Sequence, residues 1–381
     1  MKWNWQEQRE KPAFLALADG SVFRGVSFGN DEDRVGEVVF NTGMAGYQEI
    51  LTDPSYAGQF VVMTYPEIGN TGMNAQDNES RGIFLRGLIV HSLNEPSSWR
   101  SDESLSTSLK RHGVSGMSGL DTRALTSKLR DSGTLKGYFC AQGDKTVDEA
   151  VALARDWEGL DGQDYAAKVT TGQTFAWDSD GSESTSWGFG ADLPPATIRV
   201  VAYDYGIKWN ILRNLRWAGM EVEVVPAKTP AEAVLERQPD AIFYSNGPAD
   251  PSAVQYAIDN AKALIGKVPI MGICLGHQLL SLASGASTYR LKFGHHGCNH
   301  PVKELDTGRV EITSQNHNYA VDPRTIPDCL EITHINLNDQ TVEGVRHRDA
   351  PMFAVQYHPE AGPGPHDPQY LFDRFRDLIN K

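Results

Sequence analysis

Val268-Pro269-Ile270-Met271-Gly272-Ile273-Cys274-Leu275-Gly276-His277-Gln278-Leu279-Leu280 carries two periodicities in one stretch. It opens as a short apolar run beside Pro269, which predicts a buried parallel strand. It closes with Leu279, Leu280 and Leu282 on one face, which predicts a helix. Cys274 sits at the junction, with Gly272 and Gly276 on either side. A nucleophile on a tight strand-to-helix turn projects from the sheet, and glycines let the chain bend and substrate approach. The first helical turn offers unpaired N–H groups and the positive end of the dipole, which favour thiolate and can hold an oxyanion. A free cysteine there can equally be a small buried apolar side chain. Spacing alone leaves both readings standing.

Upstream of this stretch, strands and helices alternate. Residues 198–205, 222–225, 241–244 and 268–273 read as strands, and 209–217, 229–237 and 252–265 as helices. That alternation predicts crossover units and a doubly wound, mostly parallel sheet, with ligands at the carboxyl ends of its strands. Asn246-Gly247 and Cys274 both fall at such ends. Beyond residue 288 the chain turns strand-rich, at 309–313, 330–336, 341–347 and 352–357. The first half reads as mixed α/β and strand-heavy. It has a hairpin about Asp19-Gly20, further strands at 35–40, 60–66 and 82–91, and helices at 105–112 and 122–131 with Asp121 as N-cap. Residues 178–196 are polar, rich in Ser and Gly, and contain Pro194-Pro195. They read as a linker between a domain at 1–177 and another at 197–381.

The 381 residues suit two domains, and 40% hydrophobic with 22% charged residues is ordinary for a soluble globular chain. A formal net charge of -14 argues against a nucleic-acid or anionic-membrane surface. Residues 1–17 are polar and carry Glu7, Glu10 and Lys11, unlike a signal peptide, and no apolar run is long enough to span a bilayer. Cys140, Cys274, Cys298 and Cys329 are scattered without a C-x-x-C pair. This argues against a disulfide framework or structural zinc and fits a cytoplasmic location. His295-His296 resembles a ligand pair, but adjacent histidines point apart in an extended chain, so no metal is expected.

A cysteine nucleophile needs a base, and the base needs an orienter. His358 ends the apolar run 353–357 and is followed by Pro359 and Glu360. Residues i and i+2 of an extended segment point the same way, so Glu360 can reach His358, fix its tautomer and stabilise imidazolium. A solvated His-Pro-Glu turn is the plain alternative. His277 reads as a packing or helix-capping residue, and the segment about His317 as a turn or a hydrogen-bonding wall.

GICLGHQLL (272–280), QNHNYAVD (315–322) and FAVQYHPE (353–360), in this order, resemble the class I, triad-type glutamine amidotransferases. NTGMAGYQEILTDPSY (41–56), LDTRAL (120–125), YDYGIKWNILRNL (203–215), FGHHGCNHPV (293–302) and EAGPGPHDPQYLF (360–372) extend the resemblance over essentially the whole chain, to the small subunits of carbamoyl-phosphate synthase. The resemblance implies a glutaminase with Cys274 as nucleophile, His358 as base and Glu360 as orienter. It places glutamine against Ser55, Gly247, Ala249, Leu275, Gln278, Asn316, Asn318 and Tyr319, with backbone N–H groups of Leu275 and Gly247 on the oxyanion. Gln278 and the segment about Asn316 would hold the amino-acid end, and Ser55 would complete the pocket from the N-terminal domain.

It further implies that ammonia passes to a large synthetase subunit, which makes carbamoyl phosphate from bicarbonate and ATP for arginine or pyrimidine synthesis. No G-x-x-x-x-G-K-[ST] loop occurs here. No cofactor is therefore expected on this chain, and ATP and Mg²⁺ are expected on the partner. Three positions depart from the family, which usually has glycine at Ala249, Asn318 and Cys298. Asn is the best non-glycine resident of left-handed backbone, so Asn318 suits such a position. Cys298 is either a packing thiol or a second reactive one. Competing readings are a glutaminase serving anthranilate or guanylate synthesis, a catalytically dead scaffolding subunit, and a cysteine hydrolase acting on another amide. Residues 1–150 argue against the first, and the intact Cys274, His358 and Glu360 against the second.

Overall fold

The first unit closes into a barrel of strands, most of them buried along nearly their whole length. The computed structural model describes residues 11–187, 192–248 and 250–380. Within them the chain forms two compact units. One holds the described residues up to Leu160 together with Lys292–His296, and the other holds Asp161–Leu291 and Gly297 onward. In the first unit, the strand order is Pro12–Leu17, Val22–Gly29, Ser115–Ser118, Gly87–Ile89, Gln59–Met63, Arg34–Asn41 and Leu135–Cys140, closing on itself. Closure leaves no free edge. Leu15, Leu17, Val38, Phe60, Val62 and Phe139 fill one buried cluster of this unit. The expected strand at 82–91 shrinks to Gly87–Ile89, paired in parallel with Gln59–Met63. Helices Leu105–Arg111 and Thr122–Ser132 form as expected, each capped by the residue before it, Ser104 and Asp121.

In the second unit a ten-stranded sheet has five parallel strands at its centre. Their order is Met220–Pro226, Ile198–Asp204, Ala241–Tyr244, Ile270–Ile273 and Met352–Val355. Antiparallel strands extend it on both sides, Phe175–Trp177 on one and Val342–His347 with Leu330–Asn336 on the other. Period-2 alternation sends Val201 and Tyr203 into one core cluster and Val200 and Ala202 into another. Ala257, Leu264 and Leu279 cover the first face, and Ile211, Leu215 and Phe375 the second. Helices on both faces of a parallel centre make the doubly wound α/β fold that the sequence predicted.

The expected linker is a correction. The boundary between units falls at Leu160 and Asp161, and residues 178–187 belong to the second unit. Phe175–Trp177 adds a strand to Met220–Pro226, and Ser182–Trp187 is a helix. The reason is aromatic anchoring that a Ser/Gly composition hides. The Trp177 and Trp209 rings lie 5.8 Å apart, and Trp217 Nε1 donates to the Ser184 carbonyl. Arg216 holds the carbonyl of Pro194 at 2.7 Å. No described helix is long and apolar enough to cross a membrane.

Candidate active site

The strand Ile270–Ile273 is wholly buried and ends at Cys274, whose backbone takes φ 54° and ψ -105°. Positive φ is costly for a residue with a Cβ and persists only where the surroundings enforce it. Here the Cys274 N–H continues the sheet, donating to Val355 O at 2.9 Å, while the next residue already begins the helix Leu275–Ala283. The flanking glycines act through close approach. A Cβ on Gly276 would lie 2.2 Å from Tyr244 O, and one on Gly272 would lie 2.7 Å from Leu280 Cδ1. The Gly276 N–H donates to Ser245 O at 3.0 Å, pinning the helix start to the neighbouring strand end. Gly276→Ala is expected to destabilise the fold by about 1–3 kcal/mol, the range for overpacking. Denaturant unfolding checks this, and an unchanged midpoint would refute the close-approach role.

Gly247 follows the strand Ala241–Tyr244 and lies against the same elbow. A Cβ there would sit 2.3 Å from Tyr205 O and 2.8 Å from Leu275 Cδ2. The Leu275 side chain thus packs against Gly247, and Leu275 holds the first helical position, where an N–H has no intrahelical acceptor. Ala249 lies outside the described residues.

His358 comes from just past the adjacent parallel strand, Met352–Val355. Its N–H donates to Ser314 O at 2.9 Å, and its Nδ1 lies 2.6 Å from Glu360 Oε1. All three triad side chains are buried. His358 Nε2 has no hydrogen-bond partner among the described residues and interacts electrostatically with Cys274. The Cys274 thiol donates to Asn316 O at 3.5 Å. Burial disfavours a charged His358, but the Glu360 charge and the contact with Cys274 outweigh it and raise its pKa to about 10. Burial would likewise push Glu360 up, yet the charges of Lys208 and His358 hold it at about 2.

Lys208 is the residue that sequence reasoning missed. It is buried, with Nζ 3.0 Å from Glu360 Oε1 and 2.7 Å from Ala361 O. Buried lysines are almost always paired, and this one stands in the stretch 203–215 that carried the resemblance. That was the available signal.

The remaining expected residues divide. Gln278 is buried and donates from Nε2 to Tyr319 O at 2.8 Å and to Gln356 Oε1 at 3.0 Å, so its amide nitrogen grips protein. Asn316, Asn318 and Tyr319 lie on the strand Val310–Val321, which replaces the expected strand at 309–313 and absorbs the polar segment as a wall. The Tyr319 phenol donates to Asp161 at 2.5 Å, and Asp161 also pairs with Arg290. Asn318 sits in extended strand. Positive φ occurs at Asp178, Gln238, Cys274, Gln340 and Ala361 among the described non-glycine residues, so the left-handed position expected for Asn318 is not taken. His277 does not cap its helix, and it faces Gln356. It is buried within the helix, and burial lowers its pKa to about 4. Cys298 directs its thiol to Pro363 O at 3.3 Å. Ser55 belongs to the first unit, in the turn Pro54–Tyr56, where its N–H bonds the Asp53 carboxylate at 2.9 Å.

Two family models match the chain. The model described as glutamine amidotransferase class-I matches residues 201–378, and that described as carbamoyl-phosphate synthase small chain, CPSase domain, matches residues 15–139. The carbamoyl phosphate synthase small chain of Akkermansia muciniphila is 52% identical over 368 residues, 96% of this chain and 97% of that one. That of Pseudomonas aeruginosa is 51% identical over 373 residues, 96% of this chain and 97% of its own. The chloroplastic small chain of Oryza sativa subsp. japonica is 49% identical over 368 residues, 96% of this chain and 82% of its own.

Proposed function

The chain belongs to the carbamoyl phosphate synthase small-chain family, and on that footing we propose that Cys274, His358 and Glu360 carry its glutaminase chemistry. It is the glutamine amidotransferase subunit of a glutamine-dependent carbamoyl phosphate synthase, which implies a large-subunit partner. The observation that supports the assignment is the strained elbow at Cys274 beside a buried His358 that Glu360 holds and keeps cationic.

In the proposed mechanism, the side-chain amide of glutamine enters at the ends of the parallel strands. Cys274 Sγ attacks the amide carbon as thiolate, its proton carried by His358 as imidazolium, and backbone N–H groups of Leu275 and Gly247 take the developing oxyanion. Each such donor is worth roughly 10²–10³ in rate. The His358 imidazolium protonates the departing ammonia, and a thioester remains on Cys274. Neutral His358 then takes a proton from water, the resulting hydroxide attacks the thioester, and glutamate leaves with the thiol restored. Glu360 orients the ring throughout, and Lys208 keeps Glu360 ionised.

Ammonia passes, in this reading, to the large subunit, where ATP, Mg²⁺ and bicarbonate act. Asn316, Asn318, Tyr319 and Gln278, all in the second unit, are proposed to shape the glutamine pocket. The compartment we propose is the cytoplasm, in keeping with four cysteines that all remain free.

The test is glutamate release from glutamine by this chain, alone and with its large partner, with and without ATP and bicarbonate. Slow release that rises sharply with partner and nucleotide supports the coupled glutaminase. No release by a complex that works on free ammonia would leave only a non-catalytic subunit.

A further inference from the structure

Glu343, on the strand Val342–His347, is a fully buried carboxylate behind the strand that carries Asn316 and Tyr319. Its Oε1 accepts from Asn336 Nδ2 at 2.9 Å and its Oε2 from Gln315 Nε2 at 3.0 Å. Gln315 Nε2 also donates to Thr313 Oγ1 at 3.1 Å. These bonds fix the sense of the Gln315 amide, whose nitrogen faces both the Glu343 carboxylate and the Thr313 hydroxyl. Gln315 Oε1 therefore faces His317 Nε2, at 2.9 Å, and can only accept. The other ring nitrogen, Nδ1, lies 2.7 Å from the Tyr319 carbonyl oxygen, which also can only accept. A neutral imidazole has one N–H, so two acceptors call for both protons.

We propose that Glu343 is a positioning residue for glutamine binding: relayed through Gln315, its charge holds His317 as imidazolium, and His317 fixes the strand segment 316–319. The Tyr319 carbonyl is gripped twice, by His317 and by Gln278 Nε2 at 2.8 Å on the nucleophile's own helix. Bonds from a charged donor are stronger than neutral ones, so the cation decides how firmly this carbonyl is held. Three residues before it, Asn316 O receives the Cys274 thiol. A carboxylate that touches none of the reacting atoms thus sets the wall beside the nucleophile.

This inference rests on the glutaminase reading, and its test keeps the two apart. In the complex with the large subunit, Glu343→Gln should raise the KM for glutamine on the order of tenfold or more, with kcat changing far less. Ammonia-dependent synthesis by the partner reports on assembly. Adding Gln315→Glu to that variant brings a carboxylate directly onto His317 and should restore KM to within about threefold of the starting value. An unchanged KM in Glu343→Gln, or a double variant that does not recover, overturns the proposal. Should the variants not fold, the ring ¹⁵N signals of His317 in the unaltered chain decide, assigned by their loss in His317→Asn. Two protonated nitrogens support the proposal. One bare nitrogen means a protonated Glu343 with Gln315 turned over, and overturns it. Absence of glutamate release by the unaltered complex condemns the glutaminase reading instead, while the ring signals still decide the charge on His317.

Discussion

Cys274→Ser is expected to reduce glutamine-dependent synthesis by roughly 10⁴-fold or more, while free ammonia still supports synthesis by the assembled complex. A serine hydroxyl at this elbow keeps the geometry but loses the nucleophile. Its proton is far harder to remove than a thiol's, so little of the alkoxide nucleophile forms at this elbow. The backbone strain at φ 54° and the bond from Cys274 N–H to Val355 O are unchanged by the substitution, so the fold should survive it. Parallel assays with glutamine and with ammonium separate the two activities. Retention of glutamine turnover by the serine variant would falsify the nucleophile assignment.

Lys208→Met should cost the fold about 3–5 kcal/mol and lower glutamine turnover with it. Breaking a buried ion pair from one side strands the other charge, and that penalty exceeds what the pair itself contributes. Here Glu360, itself wholly buried, would keep His358 as its charged partner but lose Lys208, and the Ala361 carbonyl would lose its donor at the same time. The pH dependence follows from the shifts. Glu360 is depressed from 4.5 to about 2, so its contribution to stability is full above about 4.5 and is lost as pH falls toward 2. His358 is raised from 6.5 to about 10, so its contribution is full below about 6.5 and fades as pH rises through 10. Without Lys208, Glu360 returns toward its ordinary value, and acid unfolding should begin at higher pH. Urea titrations at several pH values check both statements. A loss below about 1 kcal/mol with an unmoved acid limb would show that the pair is not the buried anchor described here.

The doubly wound half was legible because its period-2 and period-3.6 patterns are long and uninterrupted. Residues 198–205 and 241–244 read as the strands they form, and 268–280 as a strand meeting a helix. The residues proposed as the triad stand out in the sequence for a related reason. Cys274 and His358 each end a run of apolar residues, and Glu360 follows His358 at the spacing of an extended chain. What stayed hidden was set by distant partners. Nothing local in Ser182–Trp187 predicts a helix, and its anchoring depends on Trp217 and on the strand at 175–177. The barrel needs Leu135–Cys140 to pair with two strands remote from it in sequence, which no local pattern encodes. Lys208 and Glu343 escaped because a charged side chain in a mixed sequence reads as solvated until its burial is known. The roles of Gly272 and Gly276 changed for the same reason. They looked like bending points, and they are instead places where helix and strand backbones nearly touch.

Nucleophile and base stand at the ends of two neighbouring parallel strands, Ile270–Ile273 and Met352–Val355, joined in register from Ile270 opposite Met352 to Ile273 opposite Val355. The interstrand repeat, about 4.8 Å, sets where the two segments leave the sheet, and the bond from His358 N–H to Ser314 O directs the imidazole segment from there. Such an arrangement is robust to drift. The apolar residues on either face of the sheet can be exchanged in any combination that keeps the strands paired, and the points at which the two segments leave the sheet stay neighbours. It follows that the helices and loops around this centre are free to diversify toward new partners while the chemistry stays constant.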